Sequence, residues 1–167
     1  MADTSTSVGD LRFAYSYTAA NDDAQAWSYY PLGYASGVGY ANSGDVWFNS
    51  FSTSADSYWT PGSYAYLTVI HEIGHALGLK HSFGTSPFNS QVMPVDHDGR
   101  VFTVMSYSAY PGKSDTHFSY EPTTPMILDI AAIQSLYGAN TSYNSGNTNY
   151  VFSGLSTYNE TIWDAGG

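Results

Sequence analysis

The chain has 167 residues, 43% of them hydrophobic, which suits one globular domain with a sizeable core. Only 11% are charged and the net charge is −10, so nucleic acid phosphates and anionic lipid surfaces are excluded as partners. Cysteine is absent, which removes disulfide frameworks, thiolate metal sites and cysteine nucleophiles, and no apolar run is long enough to cross a membrane.

Residues 1–10 are rich in Ser, Thr, Asp and Gly and predict a flexible lead-in, without the basic and then apolar stretches of a signal peptide. Leu11 to Tyr17 alternates in polarity and reads as a strand. Asn21-Asp22-Asp23 is turn chemistry. Ala26, Trp27, Ser28, Tyr29 and Tyr30 form a second short strand stopped by Pro31, and a loop with Gly33, Gly37 and Gly39 follows. Asp45 to Asn49 is a third strand. Pro61-Gly62-Ser63 opens a helix with Ser63 as its N-cap, and Tyr66, Val69, Ile70, Ile73 and Leu77 fall at helical spacing as its buried stripe. Residues 82–103 make a long connection containing Pro87, Pro94 and Asp98-Gly99. A second helix is framed by Thr124 as N-cap, Pro125 as its first residue and Gly138 as its stop, with Met126, Ile127, Ile130, Ile133, Leu136 and Tyr137 as its apolar stripe. Residues 139–167 are rich in Asn, Ser, Thr and Gly, with short strand-like pieces and no repeat array.

The stretch from His71 to His81 carries the chemistry. On a helix, His71 and His75 are four apart and leave the same face, where two imidazoles can grip one zinc ion. Glu72 lies beside that face, within reach of a water on the metal. Gly78 allows the left-handed turn that ends the helix and returns His81 as a third ligand. Three protein ligands leave a fourth zinc position open, the mark of a catalytic site. Chance gives this pattern about once in 10⁵ chains of this composition, so the histidines read as a site and not as ordinary helix residues. His97, in Asp96-His97-Asp98-Gly99, reads as part of a polar turn, and His117 as a loop residue. Asp45 and Asp129 read as turn and helix-frame residues.

These residues match the metzincin metallopeptidase signature H-E-x-x-H-x-x-G-x-x-H, and a Met-turn follows at Val104-Met105-Ser106-Tyr107. Gly44-Asp45-Val46-Trp47-Phe48-Asn49 and Thr124 to Gln134 make the serralysin group the closest resemblance, from about Leu11 to Gly167. The resemblance implies an α+β, zincin-like (metzincin) catalytic domain: a twisted sheet over a zinc-binding helix, a Met-turn and a C-terminal helix. It implies a catalytic domain over residues 11–140 and, over 141–167, a tail leading toward a repeat domain. The family's upstream strand and helix, and its calcium-binding repeat roll, are expected to lie outside these residues, so calcium is expected only through that roll.

By resemblance the chain is a zinc endopeptidase, binding one zinc per chain through His71, His75 and His81, with Tyr107 as a further ligand at rest. Glu72 would take a proton from the zinc-bound water and hand it to the leaving amine, while the Tyr107 phenol would stabilise the oxyanion. Met105 would floor the site by packing. Ala26 to Tyr30 would be the edge strand on which an extended polypeptide substrate pairs. A proteinaceous inhibitor, a monomeric state and a secreted, extracellular location are implied in the same way. Two other readings stand beside this one: a metzincin of another group, and a catalytically silent zinc- or peptide-binding module derived from a metzincin.

Overall fold

The computed structural model describes residues 10–17, 24–31, 41–51, 58–87, 89–114 and 116–166. The lead-in as far as residue 9, the Asn21-Asp22-Asp23 turn and the loop carrying Gly33, Gly37 and Gly39 lie outside the described residues. Three strands, β1 (Arg12–Ser16), β2 (Ala26–Ser28) and β3 (Asp45–Asn49), precede two helices, α1 (Tyr64–Ala76) and α2 (Ile127–Tyr137).

The strands form one sheet in the order β1-β3-β2. β3 is central, pairing parallel with β1 from Arg12↔Asp45 to Ser16↔Asn49 and antiparallel with β2 at Trp27↔Trp47. Period-two alternation divides the side chains of β3 between two faces. Val46 and Phe48 point into a core with Tyr58 and with Ala65, Val69 and Ala76 of α1. Trp47, on the opposite face, stacks on Trp27 at 6.3 Å and 8°. The edge strand is shorter than the sequence predicts, because Tyr29 and Tyr30 lie beyond β2. The pairing nevertheless runs on one residue, through Tyr29 N–H to the Asp45 carbonyl at 2.9 Å.

α1 starts where expected, with the Ser63 hydroxyl accepting from Tyr66 N–H at 3.0 Å. Its buried set differs from the apolar stripe. Val69 is buried, but Tyr66, Ile70, Ile73 and Leu77 are only partly so, while His71, Glu72, Gly74 and His75 are buried. The helix is covered on more than one side. One flank meets the sheet, and Leu67 joins Val104, Met105 and Met126 in a second core cluster. On the polar side Ser28 bonds Glu72 and the Tyr30 ring lies against His75.

α2 begins two residues later than Thr124 and Pro125 predict. Met126 is extended (φ −91°, ψ 176°) and its N–H is taken by the Asp129 carboxylate at 2.8 Å, so it serves as the cap. Ile127, Leu136 and Tyr137, expected inside, are exposed, and Asp129 is the buried residue of the helix. Gly138 ends the helix at φ +85°, as expected. Beyond it the described residues contain turns and irregular chain but no strand. The tail is tied back by Thr123 N–H to the Asn159 carbonyl and Thr161 N–H to the Thr124 hydroxyl.

Candidate metal centre

The end of α1 builds the centre. Gly78 adopts φ +100°, which a residue with a Cβ adopts only under strain. Its N–H reaches the His75 carbonyl and Leu79 N–H reaches that of Gly74, each at 2.9 Å, the paired bonds of a Schellman turn. That turn does two things for the site. It lays the Leu79 carbonyl against His75 Nδ1 at 2.7 Å, and it returns the chain so that His81 faces the helix.

His71, His75 and His81 form the one group of metal-ligating side chains among the described residues, with one ligand atom from each lying within 4.8 Å of the others. His81 Nε2 stands 3.0 Å from His75 Nε2 and 3.2 Å from His71 Nε2. Four-coordinate zinc with bonds of about 2.0–2.1 Å sets its ligand nitrogens roughly 3.3 Å apart, so the spacing fits. Tautomers support the fit. His71 Nδ1 lies 2.7 Å from the Val104 carbonyl, and a carbonyl can only accept. The Nδ1 atoms of His71 and His75 therefore carry the protons, and both Nε2 atoms present lone pairs. A proton on His81 could satisfy one of them, whereas a cation satisfies all three. The rings are also kept neutral. Burial, then the neighbouring His75, pushes His71 down to about 3; burial takes His75 down to about 4 and lowers His81.

Glu72 is buried beside this group, and the Ser28 hydroxyl on β2 donates to its Oε2 at 2.6 Å. Burial raises the Glu72 pKa, with the Ser28 bond pulling against it. The Tyr107 hydroxyl lies 3.1 Å from His81 Nε2. Its pKa is raised by burial first and by Glu72 second, so the phenol is protonated at neutral pH. Met105 is buried, and its Sδ would stand 2.6 Å from a Cβ placed on Gly74, so the thioether packs against the helix between the two histidine positions. A cleft of about 320 Å³ runs over Glu72 and His71, walled by Ala26 of β2 on one side and Tyr107 on the other. Tyr30 leans over the group, its ring edge-on to His75 at 5.4 Å. Trp27 instead stacks away from the helix, and Tyr29 is exposed. His97 pairs with Asp96 on the surface and His117 contacts Tyr64, so neither joins the group.

Three supporting partnerships were not legible in the sequence, although Ser28 was placed on the substrate edge strand and Asp129 on the frame of the second helix. Ser28 was visible only as a strand residue. Asp129 accepts from the Thr103 hydroxyl at 2.5 Å and from Val104 N–H at 2.7 Å, and so fixes the turn whose carbonyl holds His71. Arg100, 1% exposed, grips Glu121 through Nε and Nη2 and donates Nη1 to the Tyr107 carbonyl at 2.6 Å. Its rarity was the available signal, since the chain has only 4 Lys and Arg together.

A sheet over a helix that offers two histidines, a third histidine delivered by a glycine turn, and a methionine beneath them define a zincin-type zinc centre of the metzincin kind. Residues 3–119 match the family model Reprolysin_5, described as metallo-peptidase family M12. The chain is similar to Serralysin of Proteus mirabilis, at 34% identity over 95% of this chain and 35% of the relative. It is similar to Serralysin C of Dickeya chrysanthemi, at 36% over 86% of this chain and 32% of the relative. It is likewise similar to Metalloprotease AprA of Pseudomonas entomophila, at 30% over 96% of this chain and 37% of the relative. The chain thus spans about a third of the length of these relatives. It belongs to the M12 metallopeptidases, as a metzincin catalytic region of the serralysin type.

Proposed function

We propose that the protein is a zinc-dependent endopeptidase, that His71, His75 and His81 hold one zinc, and that Glu72 is its proton carrier. The observation that carries this reading is a buried carboxylate set beside three converging, neutral imidazoles, with Glu72 and His71 lining a cleft. Zinc, when bound, supplies a Lewis acid that polarises a carbonyl and brings the pKa of water down to roughly 7. Glu72, oriented by Ser28, accepts a proton from the attacking water, and its raised pKa makes it a better base than an exposed glutamate. It then passes that proton to the departing amine. The Tyr107 phenol, protonated and held at the cleft wall, donates to the oxyanion of the tetrahedral intermediate and serves as a further ligand at rest. Met105 packs under the histidines and takes no part in proton transfer.

The substrate in this reading is an extended polypeptide. Among the described residues β2 is an edge of the sheet and borders the cleft, so its outer side can take a peptide in antiparallel register. Main-chain pairing is nearly blind to sequence, which favours broad cleavage. Likeness to the serralysins favours an extracellular place of action, and we further propose a monomeric enzyme and a proteinaceous inhibitor able to enter the same cleft. We assign catalysis to residues 11–140 and a connecting role to 141–167. Among the described residues calcium is assigned no site. Digestion of casein with and without a chelator tests the reading: cleavage that the chelator stops and zinc restores is expected, and a protein that binds zinc without cleaving is a silent module instead.

A further inference from the structure

The three histidines are not held alike. His71 and His75 each give the Nδ1 proton to a main-chain carbonyl at 2.7 Å, the support that usually fixes a ligating imidazole. For the His81 ring the hydrogen-bond contacts among the described residues all involve Nε2, and its Nδ1 has no carbonyl or carboxylate partner there. Its ring is confined by aromatic rings. Phe83 lies parallel to it, with centroids 5.1 Å apart and planes at 8°. Tyr107 meets both rings edge-on, at 4.8 Å and 63° from His81 and at 4.9 Å and 62° from Phe83. Both arrangements are the favoured geometries of aromatic pairs, offset stack and T-shape.

We propose that Phe83 is a positioning residue for the metal centre: its stacked ring holds the His81 imidazole with Nε2 aimed at the other two ligands, in place of the missing hydrogen bond. The proposal rests on reading the three histidines as zinc ligands. A face-to-face neighbour resists rotation of the imidazole about its Cβ–Cγ bond. Without it, that freedom is lost only when the metal binds, and the loss appears as weaker binding. The main chain here does not depend on the phenyl ring. Gly84 N–H reaches the His81 carbonyl at 3.2 Å, and Lys80 Nζ donates to the Gly84 carbonyl at 2.6 Å. Phe83 is 44% exposed and belongs to neither core cluster, so its truncation removes the stack and leaves the fold.

The experiment is zinc competition against a chromophoric chelator on the whole chain, for wild type, Phe83→Ala, Phe83→Leu and Phe83→Tyr. Loss of a ligand-orienting partner costs about 10- to 100-fold in metal affinity, and a stack in place of a hydrogen bond belongs at the lower end, about tenfold. That loss is expected for the Ala and Leu variants, with the Tyr variant near wild type. Melting of the chelated proteins should be the same for all four, which separates positioning from general stability. Wild-type affinity in Phe83→Ala would overturn the proposal. Wild-type affinity in Phe83→Leu would also do so, since bulk and not the ring face would then be what matters. A lower melting point of the chelated Ala variant would overturn it as well. A wild-type chain that fails to bind one zinc would instead refute the ligand assignment itself, and this inference with it.

Discussion

Asp129→Ala is the perturbation whose outcome follows most directly from the structure. The carboxylate is 2% exposed and accepts from the Thr103 hydroxyl at 2.5 Å, Val104 N–H at 2.7 Å and Met126 N–H at 2.8 Å. Alanine strands two buried main-chain N–H groups and one hydroxyl. A buried donor without a partner costs roughly 1–3 kcal/mol, so a total of about 3–5 kcal/mol is expected after partial relaxation. For a domain of this size that lowers the melting temperature by roughly 6–20 °C. Asparagine makes a sharper comparison. Both N–H groups bond Oδ2, and an amide oxygen placed there keeps both, losing the charge and turning the Thr103 contact round so that the amide NH2 donates to the hydroxyl oxygen. Its cost is expected at about 1–2 kcal/mol. The Val104 carbonyl receives the His71 Nδ1 proton, so the alanine variant should also bind zinc about tenfold more weakly. Thermal melting of the chelated protein and zinc competition together read both effects. An alanine variant as stable as wild type, or an asparagine variant as damaged as alanine, would refute the reasoning.

Glu72→Gln should keep one zinc per chain and lose peptidase activity by several orders of magnitude, because the ligands are untouched and the proton acceptor is gone; metal analysis beside a peptide assay checks it. Tyr107→Phe should lower kcat by roughly 10²–10³ with little change in KM, the loss expected for one oxyanion donor, and steady-state kinetics on one peptide decide it. Glu121→Ala leaves the Arg100 guanidinium buried without its ion pair and should cost about 3–5 kcal/mol in denaturant unfolding. The double variant Arg100→Met, Glu121→Leu should recover much of that loss, since no charge is then left buried.

What the sequence made legible was whatever short-range spacing encodes. His71 and His75 meet because a helix repeats every 3.6 residues, and His81 joins them because Gly78 takes the left-handed turn. The three strands were readable, the first from alternation, with β1 drawn one residue too long at each end and β2 two residues too long. Long-range partnerships left no such trace. Ser28 reaches Glu72 across 44 positions and Arg100 reaches Glu121 across 21, separations that no periodicity records. The start of α2 was misplaced for the same reason. Pro125 is a good first residue by local preference, but the Asp129 carboxylate captures Met126 N–H while also holding the Met-turn, and that shared use moves the cap. The buried stripe of α1 was drawn from apolarity alone, and it missed that the helix also buries His71, Glu72 and His75.

The most direct measurement is a zinc titration of the chelated chain, following cleavage of one peptide, with His75→Ala beside it. Activity should rise in proportion to added zinc, level off at one zinc per chain, and stay absent in the variant, which should bind no zinc. Cleavage that survives chelation, or full zinc retention by His75→Ala, would contradict a peptidase built on His71, His75 and His81.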